Sequence, residues 1–270
     1  MSIVFIGGGN MASALIGGLI AHGQAPEDIR VVEIQPVAAA RLRKDWGVET
    51  FADALPALAG AGTLVLAVKP QNLWEMASAL PRLAPDVRVI SVAAGIRTDS
   101  LSRWLHGHAN IVRAMPNTPA LVRQGTAGLY AMAGVSEEDR LHAQSLLRAV
   151  GSVVWVEKES DLDAVTAVSG SGPAYVFYFM EAMIKAALSL GLSETAARQL
   201  VQDTVSGAAQ LAKDGPDRPE ILRRKVTSPG GTTEAALSVF ERERMQSIVI
   251  QAMQAASKRS CELGESLDRE

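Results

Sequence analysis

The sequence predicts two fold classes in series: an α/β domain with a mostly parallel sheet over residues 1–160, then an all-α domain over 161–270. Three observations lead there. Short, largely apolar runs alternate with helical patterns in the first half, as strands buried on both faces of a parallel sheet require. A glycine-rich turn separates the first such run from the first helix. Beyond residue 160 no strand-like run recurs, and small and apolar residues return at helical spacing.

Element by element, residues 3–6 read as a strand and 11–22 as a helix closed by Gly23, a residue suited to the position just past a helix end. A second strand over 29–34 precedes a helix over 37–46 stopped by Gly47. The run 63–68 is a third strand, followed by a helix over 73–80, a strand over 87–92 and a helix near Leu101. Strands over 111–114 and 127–131 follow, then a helix opened by the capping box that begins at Ser136 and running through Arg148. The run 153–156 is the domain's last strand, and Ser160 marks a further helix start. Helices are predicted over 175–190, 193–212, 233–240 and 242–263, with a loop over 214–219 between two of them.

Composition narrows the function classes. The net charge of −3 leaves no basic footprint for nucleic acid. The chain has one cysteine, Cys261, so internal disulfides are excluded and a reducing compartment fits. Residues 1–21 carry no charge, but they lack the basic start of a signal peptide and are interrupted by Gly7, Gly8, Gly9 and Asn10. The expectation is a cytoplasmic protein that makes no membrane contact. Aromatic residues are only 4% of the chain, so its core must be aliphatic.

Gly7-Gly8-Gly9-Asn10-Met11-Ala12 satisfies the G-x-G-x-x-G/A pattern between strand and helix. Gly7 permits a tight turn, Gly9 admits a pyrophosphate to the backbone, and the helix N-terminus offers free N–H groups to it. Glu33 ends the second strand where a ribose hydroxyl would be read. These are the marks of a Rossmann dinucleotide-binding domain, with Ile6 through Met11 and Glu33 as cofactor contacts. A carboxylate there accepts from ribose hydroxyls and repels a 2′-phosphate, so NADH is expected to serve at least as well as NADPH. The strand ends Ala67-Val68-Lys69-Pro70 and Ala93-Ala94-Gly95 supply further contacts, because ligands lie outside the carboxyl ends of such strands. Backbone support by the Lys69 loop is preferred to an acid role for its side chain.

Five separated motifs carry a resemblance over residues 3–260: Ile6 to Met11; Ala67 to Gln71; Met115-Pro116-Asn117-Thr118-Pro119; Ser169-Gly170-Ser171-Gly172-Pro173-Ala174-Tyr175; and Thr227-Ser228-Pro229-Gly230-Gly231-Thr232-Thr233. In order and spacing the chain resembles the pyrroline-5-carboxylate reductases. The resemblance implies a helical C-terminal domain that forms a homodimer or higher homo-oligomer, and NAD(P)H-dependent reduction of 1-pyrroline-5-carboxylate to proline. It implies that the loop carrying Ser228, Gly230, Gly231 and Thr232 receives the substrate carboxylate, and that Thr233 presents its hydroxyl to the imine nitrogen as a positioning donor. Ser171 would add a substrate contact, and Met115 and Asn117 would line the nicotinamide end. Glu33-Ile34 stands where family members often carry Asp-Arg or a Ser-rich pair, and Asp53-Ala54 where many have an Asn; both departures concern the adenosine end.

Other candidates rank lower. His106 and His108 have no acidic or cysteine partner at metal-ligand spacing, so no metal is expected. His22 is read as a helix-end residue bonded to carbonyls, and Arg223-Arg224-Lys225 as a solvated basic run. Two rivals remain: a two-domain β-hydroxyacid dehydrogenase, for which Lys185 lies on the corresponding helix without the matching motif, and a non-catalytic NAD(P)H-binding regulator.

Overall fold

The computed structural model describes residues 2–268. Its packing separates the residues through Ser171, together with those from Ala255 onward, from a second compact unit, Gly172–Gln254.

The first unit is built on an eight-stranded sheet in the order β3-β2-β1-β4-β5-β6-β7-β8. The strands are β1 (Ser2–Ile6), β2 (Ile29–Val32), β3 (Glu49–Phe51), β4 (Ala61–Leu66), β5 (Arg88–Ser91), β6 (Ile111–Met115), β7 (Gly125–Ala131) and β8 (Gly151–Trp155). The first six run parallel, β7 is antiparallel to β6, and β8 is parallel to β7. Chain order reverses direction between β1 and β4, which makes that point the switch where open α/β sheets take ligands. The helices of this unit are α1 (Asn10–Ala21), α2 (Pro36–Trp46), α3 (Ala54–Ala57), α4 (Pro70–Ser78), α5 (Thr98–Trp104), α6 (Glu137–Arg148) and α7 (Asp161–Val165). One face of the sheet packs Phe5, Val65 and Ile90 with Leu15, Ile16 and Leu147; the other packs Ile6, Leu64 and Leu66 with Leu73 and Leu101. Each such side chain removed from water stabilises the fold by about 2 kcal/mol.

Several local expectations hold. Gly47 N–H bonds the Arg43 carbonyl at 3.0 Å to close α2, and His22 Nδ1 lies 2.8 Å from the Gly18 carbonyl. Ser136 Oγ accepts from Asp139 N–H at 3.1 Å, capping α6. Others are corrected. β3, α3 and the helix α10 (Pro219–Lys225) were absent from the sequence reading. β3 is a three-residue edge strand that begins on Glu49, and α10 starts on the last proline of the 214–219 run, which supplies its N1 position. Strand β4 ends at Leu66 rather than at 68, because Pro70 opens α4 and holds Lys69 extended at its N-cap. The helix start at Ser160 holds, since α7 begins at Asp161, although Ser160, in helical dihedrals, makes no side-chain cap. A π-helical turn, Thr166–Gly170, continues α7, and Gly128 on β7 leaves room for Val165, which seats this segment on the sheet.

The second unit contains α8 (Gly172–Ser189), α9 (Glu194–Asp214), α10, α11 (Thr232–Arg242) and the first part of α12 (Met245–Leu267). Phe179 and Phe240 pack with ring centroids 6.4 Å apart. Yet α8, α10 and α11 bury no residue, and α9 buries only Ala197 and Val201.

Candidate active site

The glycine turn sits at the switch point because β1 ends there and α1 begins. Gly7 N–H bonds the Val32 carbonyl at 2.9 Å, and Ala67 N–H bonds the Ile6 carbonyl at 2.8 Å, so the turn is tied to β2 on one side and β4 on the other. Gly7 has φ +98°, and a Cβ there would lie 2.8 Å from the Ala67 carbonyl oxygen; only glycine fits. Gly9 is the N-cap of α1, makes no side-chain cap bond and faces open space, since a Cβ would meet nothing within 4 Å. The first turn of α1, Asn10 and Met11 included, therefore presents a helix N-terminus suited to a pyrophosphate.

The neighbouring strand ends complete one continuous edge. Glu33 follows β2, Ala67, Val68 and exposed Lys69 follow β4, and Ala93-Ala94-Gly95 follow β5 with only Ala94 exposed. Met115 closes β6, its Cε against Gly170 of the π turn. Glu33 Oε2 accepts from Gly8 N–H at 2.9 Å and Oε1 from Gln35 N–H at 2.8 Å. Asp53, at the other departure from the family pattern, caps α3 by accepting from Leu55 N–H at 3.0 Å.

Asn117 is buried, and its side chain has internal partners: Nδ2 donates to the Ser169 carbonyl at 3.1 Å and Oδ1 accepts from Thr126 N–H at 2.9 Å. The geometry makes it a tie between the π turn and β7. Residues absent from the sequence reading support the same edge. Arg113, 2% exposed, donates to Glu159 at 3.1 Å, and Glu159 accepts from Thr98 N–H at 2.8 Å and Thr98 Oγ1 at 3.0 Å. The only signal for them was a charge inside an otherwise apolar strand. Behind the 93–95 segment, the last turns of α12 approach so closely that a Cβ on Gly264 would sit 2.9 Å from the Gly95 carbonyl oxygen. Ser260 Oγ donates to Asp163 at 2.7 Å, and Asp268 accepts from Arg103 at 2.6 Å and from Ser100, fixing those turns.

The proposed substrate residues fall in both units. Ser171 ends the π turn in the first unit, its N–H on the Thr166 carbonyl at 2.8 Å. Ser228, Gly230, Gly231, Thr232 and Thr233 lie together in the second, in the loop from α10 to α11. Gly231 is the N-cap of α11 and no side chain caps it, so neither Ser228 nor Thr232 fills that role. Gly230 N–H donates to the Glu234 carboxylate at 2.6 Å, and Gly231 N–H to the Ser228 carbonyl at 3.0 Å. Thr233 stands in the first turn of α11. Elsewhere, His106 and His108 bond separate backbone carbonyls, those of Leu80 and Val87. Lys185 is exposed and pairs with Glu181 at 2.6 Å.

A glycine turn at the switch point of a mostly parallel sheet, with an acidic residue on the next strand end, defines a dinucleotide-binding protein of the Rossmann class. Residues 2–95 match the model described as NADP oxidoreductase coenzyme F420-dependent, and residues 159–263 the one described as pyrroline-5-carboxylate reductase dimerisation. The chain belongs to the pyrroline-5-carboxylate reductase family. It is 47% identical to the pyrroline-5-carboxylate reductase of Pseudomonas aeruginosa over 98% of this chain and 97% of that one. A solved pyrroline-5-carboxylate reductase of Coxiella burnetii superposes with a TM-score of 0.90 at 41% identity, covering 97% of this chain and 98% of that one. The NADP-bound pyrroline carboxylate reductase of Plasmodium falciparum superposes with a TM-score of 0.86 at 27% identity, covering 98% of each chain. The dimerisation match makes the protein a homo-oligomer. No helix among the described residues is long and apolar enough to cross a membrane.

Proposed function

We propose that this protein reduces 1-pyrroline-5-carboxylate to L-proline with NAD(P)H, as a cytoplasmic homodimer. The observation that carries the substrate assignment is the uncapped N-terminus of α11, with Gly230 and Gly231 before it and Thr233 in its first turn. Such a terminus gathers N–H donors toward a carboxylate, and Glu234 already occupies one of them from within the chain. Residues 1–160 serve the nucleotide and 161–270 the substrate and assembly. Packing divides the chain later, after Ser171, because α7 and the π turn rest on β7.

NAD(P)H supplies a hydride to C5 of the protonated imine. The protein has the remaining work of position and charge. The turn from Ile6 to Met11 holds the pyrophosphate, Glu33 reads the ribose, and the 67–70 and 93–95 segments support the nucleotide through backbone. Met115 borders the nicotinamide end, with Asn117 holding its surroundings. Ser228, Gly230, Gly231 and Thr232 receive the carboxylate, Ser171 adds a hydroxyl, and Thr233 orients the imine nitrogen. A protonated imine is already electrophilic, so no strong acid is required.

The assay is nucleotide oxidation followed at the nicotinamide band with 1-pyrroline-5-carboxylate, proline being the product sought. Thr233→Ala should lower turnover by about ten- to a hundredfold, the loss of one hydrogen bond to a charged group, with nucleotide affinity unchanged. Unchanged turnover removes Thr233 from the mechanism. Nucleotide binding without oxidation would favour the regulator or the β-hydroxyacid dehydrogenase; against the latter stands Lys185, held by Glu181.

A further inference from the structure

We infer that Glu33 makes this protein select NADH over NADPH, in contrast to its NADP-bound relative from Plasmodium falciparum. The inference rests on the reading of Ile6 to Met11 as the cofactor turn. A carboxylate has about four acceptor sites, two on each oxygen. One site on Oε2 is filled by Gly8 N–H at 2.9 Å and one on Oε1 by Gln35 N–H at 2.8 Å. These two bonds fix the carboxylate from both sides, on the glycine turn and on the chain leaving β2. Each oxygen keeps an acceptor site, and two adjacent acceptors match the vicinal 2′- and 3′-hydroxyls of an adenosine ribose.

The same arrangement opposes a 2′-phosphate in two ways. The phosphate is a dianion or nearly so at neutral pH, and it would enter against a fixed negative charge. The backbone donors nearest to it are engaged, and each arginine on the next helix already spends one nitrogen on another partner. Gly8 and Gln35 give their N–H groups to Glu33 itself. On α2, Arg41 donates to Asp45 at 3.2 Å and Arg43 to Thr50. Ile34, at the tip of the same segment, contributes an exposed apolar side chain and no charge. Removing the carboxylate reverses both effects at once: it lifts the repulsion and releases two backbone donors at the position the phosphate would take.

The experiment is direct titration of the full-length protein with NADH and with NADPH, read by nicotinamide fluorescence and checked by calorimetry. The wild type should bind NADH at least about tenfold more tightly than NADPH, a difference of about 1.4 kcal/mol. Glu33→Ser should weaken NADH and tighten NADPH until the order inverts. Glu33→Gln keeps the side chain's shape but only one acceptor oxygen, so it should tighten NADPH and weaken NADH, the latter by less than Glu33→Ser does; it keeps the test decisive if the serine variant folds poorly. Tighter NADPH binding by the wild type overturns the inference and leaves the cofactor turn standing, as does a ratio unmoved in both variants. Binding of neither nucleotide overturns the inference and the cofactor-turn reading together.

Discussion

The two glycine loops of this molecule have similar geometry in different surroundings. Each precedes a helix whose N-terminus has no side-chain cap, and in each a glycine N–H is held by a carboxylate of the same chain, Glu33 on Gly8 and Glu234 on Gly230. Around the first loop every direction but one is filled: a Cβ on Gly7 meets Ala67 and one on Gly8 meets Leu42 and Glu33, whereas Gly9 alone opens outward. Around the second, a Cβ on Gly230 meets nothing within 4 Å, and that on Gly231 meets only Ser228 of the same loop. The first unit shapes its loop from its own core. The second does not, and its helices leave Phe177 64% and Tyr178 75% exposed. Patches of that kind mark interaction surfaces, and both residues lie within the 159–263 match to a dimerisation domain. The difference teaches that the first loop takes its shape from packing within one chain, whereas the second loop belongs to a unit that leaves much of its apolar surface unpacked within that chain.

The strongest way to break this comparison is to keep the copies apart. Phe177→Asp should leave the first unit folded and the nucleotide affinity within about twofold of wild type, because an exposed position costs little stability on its own. It should also convert the oligomer to monomers in light scattering and reduce turnover below detection. A monomeric variant with full turnover would show that the second loop is complete within one chain.

A smaller effect tests whether the first loop is shaped from behind. Gly264→Ala places a methyl 2.9 Å from the Gly95 carbonyl oxygen, and the bonds from Ser260 and to Asp268 prevent the helix from backing away. Overpacking of this kind costs about 1–3 kcal/mol. The expected result is a nucleotide dissociation constant raised severalfold, with the KM for 1-pyrroline-5-carboxylate and the oligomeric state unchanged. Ala94→Val, on the exposed side of the same segment, should weaken the nucleotide by a direct clash. If Ala94→Val acts and Gly264→Ala does not, the segment touches the nucleotide but is not positioned by α12.

That same contact shows where sequence reading ends. The glycine turn, the apolar strand runs and the helix start after the 227–232 loop were legible because each is local: a motif, a period or a helix start written in adjacent residues. The run 153–156 and the box at Ser136 were legible for the same reason. The contact of Gly95 with Gly264, the tie from Asn117 to Ser169 and Thr126, and the pair Arg113–Glu159 join residues distant in the chain, and nothing in the local pattern announces them. Strand β3 escaped notice because three edge residues carry no period, and the π turn because it differs from its flanking helices only in hydrogen-bond register.

The smallest expected effect concerns charge, and it too separates the units. Buried and half-buried imidazoles occur in the first unit: partial burial pushes the His142 pKa below its usual value, reinforced by the Arg88 charge and opposed by Asp139 and Glu138, and burial lowers that of His108 against hydrogen bonds with the Val87 and Asn110 backbone. In the second unit the Lys185 pKa is raised by its hydrogen bond to Glu181 on an exposed surface, where it contributes little to stability. A histidine whose pKa is depressed by folding stays neutral in the fold while the unfolded chain takes up a proton near pH 6.5. Its stabilising contribution is therefore present above about pH 6.5 and is lost as pH falls toward the folded value. Thermal stability should decline between about pH 7 and about pH 5, and His142→Gln, which can keep a bond to Thr63 Oγ1, should flatten that decline by up to about one proton's worth of slope. Replacing Lys185 by Met should leave the profile unchanged. A decline insensitive to both His142 and His108 would place the pH response on other groups and remove this distinction between the two regions.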